Sequence, residues 1–86
     1  MKILIGKKAE KYLKKIPKID QIAIARKIRS LTSPTFNEEK LKGFKNIYRV
    51  RVGDYRIVFR RTKEEIFIVL IGHRKEIYQL VNHLFQ

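Results

Sequence analysis

Four arginines, a tyrosine and a histidine are the residues of this chain that could do chemistry together: Arg49, Arg51, Arg56, Arg74, Tyr78 and His73. Arg49 and Arg51 alternate with Tyr48, Val50 and Val52 in the stretch IYRVRVGDYRIVFR, Ile47 to Arg60. The alternation predicts two short strands joined by a two-residue loop, Gly53-Asp54. That loop sets the register: Val52 opposite Tyr55, Arg51 opposite Arg56, Val50 opposite Ile57, Arg49 opposite Val58 and Tyr48 opposite Phe59. One face of the hairpin is then apolar. The other sets Arg51 against Arg56, with Arg49 and Arg60 on the same side. Like charges directly opposed across a strand pair cost on the order of a few tenths to 1 kcal/mol. A surface that keeps such a pair is expected to meet an anion.

The second informative stretch is IGHRKEIY, Ile71 to Tyr78. The pattern predicts the end of a strand and, from His73, the start of the last helix. Arg74 and Tyr78 stand at i and i+4 and would share a helix face near its N-terminus, where free amide donors favour an anion. His73 could serve as acid or base, the usual role of a histidine at a reacting centre. Other constellations are missing. Gly6, Gly43, Gly53 and Gly72 are scattered singly, so there is no phosphate-cradling glycine loop. His73 and His83 have no carboxylate spacing around them that suggests zinc, and a chain without Cys has no disulfide framework or thiolate site. Glu64-Glu65 reads as a turn. Any chemistry falls to Arg, Lys, Tyr and His.

The elements that must position these residues follow from periodicity. Lys2 to Ile5 predicts a short first strand, ended by Gly6. Ala9, Tyr12, Leu13 and Ile16 form the apolar stripe of a first helix whose other faces carry Lys7, Lys8, Lys11, Lys14 and Lys15. Pro17 separates it from a second helix over about Lys18 to Leu31, with Ile24, Ile28 and Leu31 on one face, flanked by Ile22 and Ala25. Thr32-Ser33-Pro34-Thr35 breaks the pattern, and a polar connection runs to Lys40. After the arginine hairpin, the run Ile66 to Ile71 predicts a strand buried on both faces, stopped by Gly72. Ile77, Leu80, Val81 and Leu84 give the stripe of the last helix. The order β-α-α-β-β-β-α implies an α+β fold, with the N-terminal helix hairpin on the apolar face of a mostly antiparallel sheet and the arginine face left open. One domain over residues 1–86 is expected.

With 21 Lys and Arg against 8 Asp and Glu, the net charge is +13. A small soluble domain needs a magnitude of only about 2–8, so the excess points to an anionic partner, nucleic acid first, an acidic protein second and an anionic membrane surface third. The longest apolar run has six residues and nothing resembles a signal peptide, so a cytoplasmic protein without a membrane partner is expected.

The pattern LKGFKNIYRVRVGDYRIVF, a central apolar strand and then IGHRKEIY resemble the RelE branch of the RelE/ParE toxin superfamily over essentially the whole chain. The resemblance implies a toxin of a type II toxin–antitoxin system, a ribosome-dependent endoribonuclease. It would cut mRNA in the ribosomal A site by attack of the RNA's own 2′-hydroxyl, without metal or other cofactor. It implies the ribosome, mRNA and a cognate antitoxin as partners. By the same resemblance Arg56 would hold the scissile phosphate, Arg74 would assist the leaving group or the phosphorane, and Arg49 and Arg51 would bind the mRNA backbone. Lys42 and Lys45, in the approach to the hairpin, join them as substrate-binding residues. Tyr78 is the candidate for the family's C-terminal tyrosine, although it follows Arg74 sooner than that tyrosine does in the best-studied members, and His73 is the alternative for proton transfer. The physical logic is consistent: arginines stabilise a phosphorane through charge-assisted hydrogen bonds but are poor bases, so the host must supply alignment. Two other readings stay open, a ParE-like inhibitor of DNA gyrase and a non-catalytic basic RNA-binding domain.

Overall fold

The computed structural model describes residues 1–33 and 38–85. Its elements are β1 (Lys2–Ile5), α1 (Lys7–Leu13), α2 (Lys18–Ser30), β2 (Glu39–Lys40), β3 (Ile47–Val52), β4 (Tyr55–Arg61), β5 (Glu65–His73) and α3 (Ile77–Phe85). The strands form one sheet in the order β1-β5-β4-β3-β2, with β1 parallel to β5 and every other pair antiparallel. The fold class is the one expected, an α+β arrangement with the helix hairpin on one sheet face. The Pro34-Thr35 part of the predicted break lies outside the described residues. No helix among them is long and apolar enough to cross a membrane.

The β3–β4 hairpin has the predicted register throughout, from Val52 opposite Tyr55 to Tyr48 opposite Phe59. Gly53 has φ +58°, a conformation that L side chains rarely adopt, and this is what closes the two-residue loop. Behind this hairpin, Val50, Ile57 and Phe59 pack with Ile66, Ile68 and Ile71 of β5 against Ala9, Ile24, Ile28 and Leu31 of the two helices. All ten are buried. The stripe of α2 is therefore as predicted, whereas Ile22 beside it is exposed. Arg61 fastens the end of α2 to the sheet: its guanidinium donates to the Leu31 carbonyl at 2.6 Å, pairs with Glu38 and lies over the Tyr48 and Phe59 rings.

Three features differ from the sequence reading. First, the arginine face is not wholly open. α3 packs on it, burying Ile77 and Val81 against Ile47, Val58 and Leu70, with Leu41, Phe44 and Val69 at the rim. Leu84, the last position of that stripe, lies outside the described side chains. Second, β5 does not stop at Gly72 but runs to His73, and α3 starts at Ile77 rather than His73. Third, residues 39–40 of the expected polar connection form the edge strand β2, with Glu39 opposite Arg49 and Lys40 opposite Tyr48.

Gly72 explains how a strand can continue beneath a helix. A Cβ at this position would sit 2.9 Å from Ile77 Cδ1 and 3.2 Å from Leu80 Cδ1, so glycine lets α3 lie close on the sheet. Alanine would displace only two flexible methyl ends. A branched side chain has nowhere to go, and Gly72→Val is expected to cost about 1–3 kcal/mol, the usual range for overpacking. The loss should concentrate in α3: hydrogen exchange of its amides should speed up more than that of β3 and β4. Uniform acceleration across the sheet would contradict this local origin.

Candidate functional site

The half of the arginine face that α3 leaves uncovered is a pocket of about 260 Å³ lined by Glu39, Arg49, Arg51, Arg56 and Tyr78. Three strands and a helix supply these side chains. Arg49 and Arg51 alternate out of β3, and Arg56 faces them from β4 in the non-core direction. Glu39 comes from the edge strand β2, and Tyr78 from the first turn of α3. Arg49 is the hub of one wall: its Nη2 lies 2.5 Å from Glu39 Oε2, and its Cζ lies 5.2 Å from the Tyr78 ring centroid. A guanidinium in that position over a phenol is held by charge–quadrupole attraction as well as by the carboxylate.

Arg56 occupies the other wall. Its Nη1 donates to the carbonyls of Gly53 at 3.3 Å and Tyr55 at 3.0 Å, which folds the guanidinium against the hairpin turn. Its pKa is lowered, first by burial and then by the charges of Arg51, Arg49 and Arg74, against a smaller opposing pull from Asp54. The charged form is therefore held at a cost in the free protein, and an arriving anion would remove that cost. Arg74 is not on α3. It lies in the turn between β5 and α3, where its backbone N–H donates to the Asp54 carbonyl at 2.8 Å and its Nε is 3.8 Å from Asp54 Oδ1. The hairpin tip, not a shared helix face with Tyr78, brings Arg74 within electrostatic reach of Arg56.

His73 is not brought to this site. It faces the opposite side of the sheet, at the rim of a cavity of about 290 Å³ that is also lined by Asp20, Ala23 and Tyr55. Its ring stands edge-on to Tyr55 with centroids 6.0 Å apart, and its Nδ1 accepts from the Lys75 N–H. On this side the Tyr55 phenol is raised above its ordinary pKa, mainly by burial, and donates to Asp20 at 3.1 Å. The cause of the placement is a register slip in β4–β5. Val58 is opposite Leu70 but Phe59 is opposite Ile68, so Val69 has no counterpart. Beyond the bulge the alternation is out of phase, which turns Gly72 toward α3 and His73 toward α2.

Lys42 and Lys45 are exposed in the loop between β2 and β3, and neither lines the arginine pocket. Arg60, on the same sheet face, is drawn the other way, to Glu65 at 3.7 Å and over the Phe67 ring. Glu39 is the residue that sequence reasoning missed. Its signal was the turn that follows it: Gly43 and Asn46 both have left-handed backbone, and the Leu41 N–H donates to the Ile47 carbonyl, folding residues 39–40 back onto β3.

The opposed pair Arg51 and Arg56 makes a stability prediction. Arg51 is exposed and no described hydrogen bond or ion pair holds its side chain. Arg51→Thr removes the like charge and keeps strand propensity, so it is expected to raise stability by about 0.2–1 kcal/mol. Thermal unfolding at low salt measures it, and the gain should shrink at high salt. A loss at low salt would contradict the repulsion.

The chain is similar to known proteins over nearly its full length. Residues 3–78 match the family model described as the ParE toxin of the type II toxin–antitoxin system parDE. Toxin RelE3 of Methanocaldococcus jannaschii is 36% identical over 84 residues, covering 91% of this chain and 96% of that protein. Among solved structures, the RelB–RelE antitoxin–toxin complex of Methanococcus jannaschii superposes with TM-score 0.72 at 30% identity, over 90% of this chain and 96% of that one. A mutant of the Escherichia coli toxin RelE, solved in the free state, shares the fold at TM-score 0.75 and 18% identity, over 99% of this chain and 97% of its own. A hairpin with matched register, a last helix across one sheet face and these similarities agree: the chain belongs to the RelE/ParE family of toxins of type II toxin–antitoxin systems.

Proposed function

We propose that this toxin is an endoribonuclease that cuts mRNA in the ribosomal A site, using the RNA's own 2′-hydroxyl as nucleophile. The observation that carries the reading is the pocket itself, which sets three guanidinium groups around a carboxylate and a phenol. Arg56 and Arg51 hold the non-bridging oxygens of the scissile phosphate, with Arg74 adding charge from the hairpin tip. As the 2′-oxygen bonds to phosphorus, negative charge grows on those oxygens, and fixed guanidinium donors stabilise it more than they stabilise the ground state. Glu39 is the group in the pocket lining suited to take the 2′-hydroxyl proton at neutral pH, because arginine stays protonated. The bond to the 5′-oxygen then breaks, leaving a 2′,3′-cyclic phosphate and a 5′-hydroxyl, and the Tyr78 O–H supplies the proton that the 5′-oxygen takes. Lys42 and Lys45, exposed in the loop before β3, meet the incoming backbone outside the pocket, and His73 acts outside this proton path.

An open pocket whose base is tied to Arg49 aligns free RNA poorly, which supports dependence on a host that holds the strand. The test is to add purified toxin to programmed ribosomes and, separately, to DNA gyrase. Cleavage of ribosome-bound mRNA to ends bearing cyclic phosphate and 5′-hydroxyl is expected, with supercoiling unaffected. Inhibition of gyrase with intact mRNA would assign the chain the other activity of the superfamily. The cognate antitoxin is part of the same reading: the related RelE proteins were solved in complex with RelB. A chain of net charge +13 suits a partner with an acidic face. Co-purification of the toxin with the product of the adjacent gene checks it.

A further inference from the structure

Arg51 belongs to two cavities. On the sheet face it lines the arginine pocket, and across the free edge of β3 it lines a groove of about 340 Å³ together with Val52 and the α2 residues Ala23, Arg26, Lys27 and Ser30. The edge is free here because β2 pairs only with Arg49 and Tyr48 of β3. The groove therefore starts where the pocket ends, with one guanidinium common to both.

The charged residues that line the groove are all cations. Arg49, Arg60, Arg61 and Arg74 each have a carboxylate partner. Among the described residues no carboxylate pairs with Arg26, Lys27 or Arg51, and none lines the groove. The acids nearest in sequence are engaged elsewhere: Asp20 on α2 accepts from the Tyr55 phenol and lines the separate cavity beside His73, and Asp54 pairs with Arg74. The Ser30 hydroxyl donates back to the Lys27 carbonyl and fixes the last turn of α2 beside the groove. Three cations without counter-charges, floored by Ala23 and Val52, form a site for phosphate oxygens with room for an apolar sugar edge.

We propose that this groove binds the backbone phosphates of the RNA strand that enters the arginine pocket, on the side of the scissile bond that passes Arg51. The inference rests on the reading of the pocket as an RNA site but not on the cleavage step. Continuity through Arg51 favours the same strand over a separate structured RNA. The groove would lengthen the footprint of the toxin on its substrate by about two phosphates, held by Arg26 and Lys27.

The experiment measures binding of 2′-O-methyl oligouridylates, which lack the attacking hydroxyl, as a trimer and a nonamer over a range of salt. The protein is compared with Arg26→Gln/Lys27→Gln and with the charge-matched control Lys7→Gln/Lys8→Gln on α1, each checked for an unchanged melting temperature. Each phosphate contact on a single strand contributes about 0.7 to the salt slope. The groove variant should lose about tenfold in nonamer affinity near 0.1 M salt, and its slope should fall by about 1.4. Its trimer affinity should stay within twofold, and the control should lose about threefold at most. Equal losses in the two variants would overturn the proposal, since only net charge would then matter. So would an unchanged nonamer affinity with weakened binding to ribosomal subunits, which would give the groove to ribosomal RNA. A protein that binds the nonamer through the groove yet cuts no mRNA would refute the cleavage reading and leave the groove standing.

Discussion

Replacing Arg56 by alanine is expected to slow mRNA cleavage on programmed ribosomes by about 10²–10³-fold, the usual loss when one preorganised donor to a developing oxyanion is removed. The structure gives the reason for so large an effect at a single position. Arg56 is the arginine of the cluster whose charge is most compromised, by burial and by Arg51, Arg49 and Arg74 together. The guanidinium is partly buried and already turned by the Gly53 and Tyr55 carbonyls, so less reorganisation remains when phosphate arrives. Adding Arg74→Ala should cost less than the product of the two single losses, because both groups act on one charge. Stability should move little in Arg56→Ala. Relief of the repulsion favours the variant by about 0.2–1 kcal/mol, and loss of two hydrogen bonds to exposed turn carbonyls opposes it by a similar amount. A collapse in melting temperature alongside the lost activity would mean that Arg56 is structural.

Glu39→Gln is the second large effect, and it separates two roles. A proton acceptor contributes about 10²–10⁴-fold to the rate, so kcat should fall within that range. The same change removes a negative charge from a pocket that must hold a phosphate, and it frees Arg49 from a 2.5 Å ion pair. RNA should therefore bind the variant more tightly, lowering KM as kcat falls. If Glu39 only tethered Arg49, affinity and rate would both drop modestly in this variant, with no gain in binding. On the proposed mechanism the carboxylate and the cations do opposite things to binding and the same thing to catalysis.

Much of the site was legible because its signals are local. Alternation in IYRVRV and YRIVFR, with a two-residue loop between, leaves one register, and the opposed Arg51 and Arg56 follow from it. The apolar stripe of α2 told as directly which face meets the sheet. What failed depends on distant contacts. Counting by twos from Ile66 and Ile68 carries His73 to the arginine face, but the slip at Val58/Phe59 reverses every side chain beyond it. No residue in that run announces a bulge. The late start of α3 has a similar origin, since the turn at 74–76 is tied to Asp54 of another element. Glu39 escaped notice because a two-residue strand has no period to read.

Arg74 is placed by a contact that its local sequence does not show. The helix face it was expected to share with Tyr78 does not exist, and the contact with Asp54 at the hairpin tip replaces it. Both routes end beside Arg56 because the β4–β5 register sets Arg56 opposite Gly72, two residues before Arg74.

The most direct test of the central claim is to induce the toxin in translating cells and map the 5′ ends of cellular mRNA. New ends should lie within translated codons, carry 5′-hydroxyls and vanish in the Arg56→Ala/Arg74→Ala variant. Growth arrest with no new mRNA ends, or with ends that persist in that variant, would contradict it.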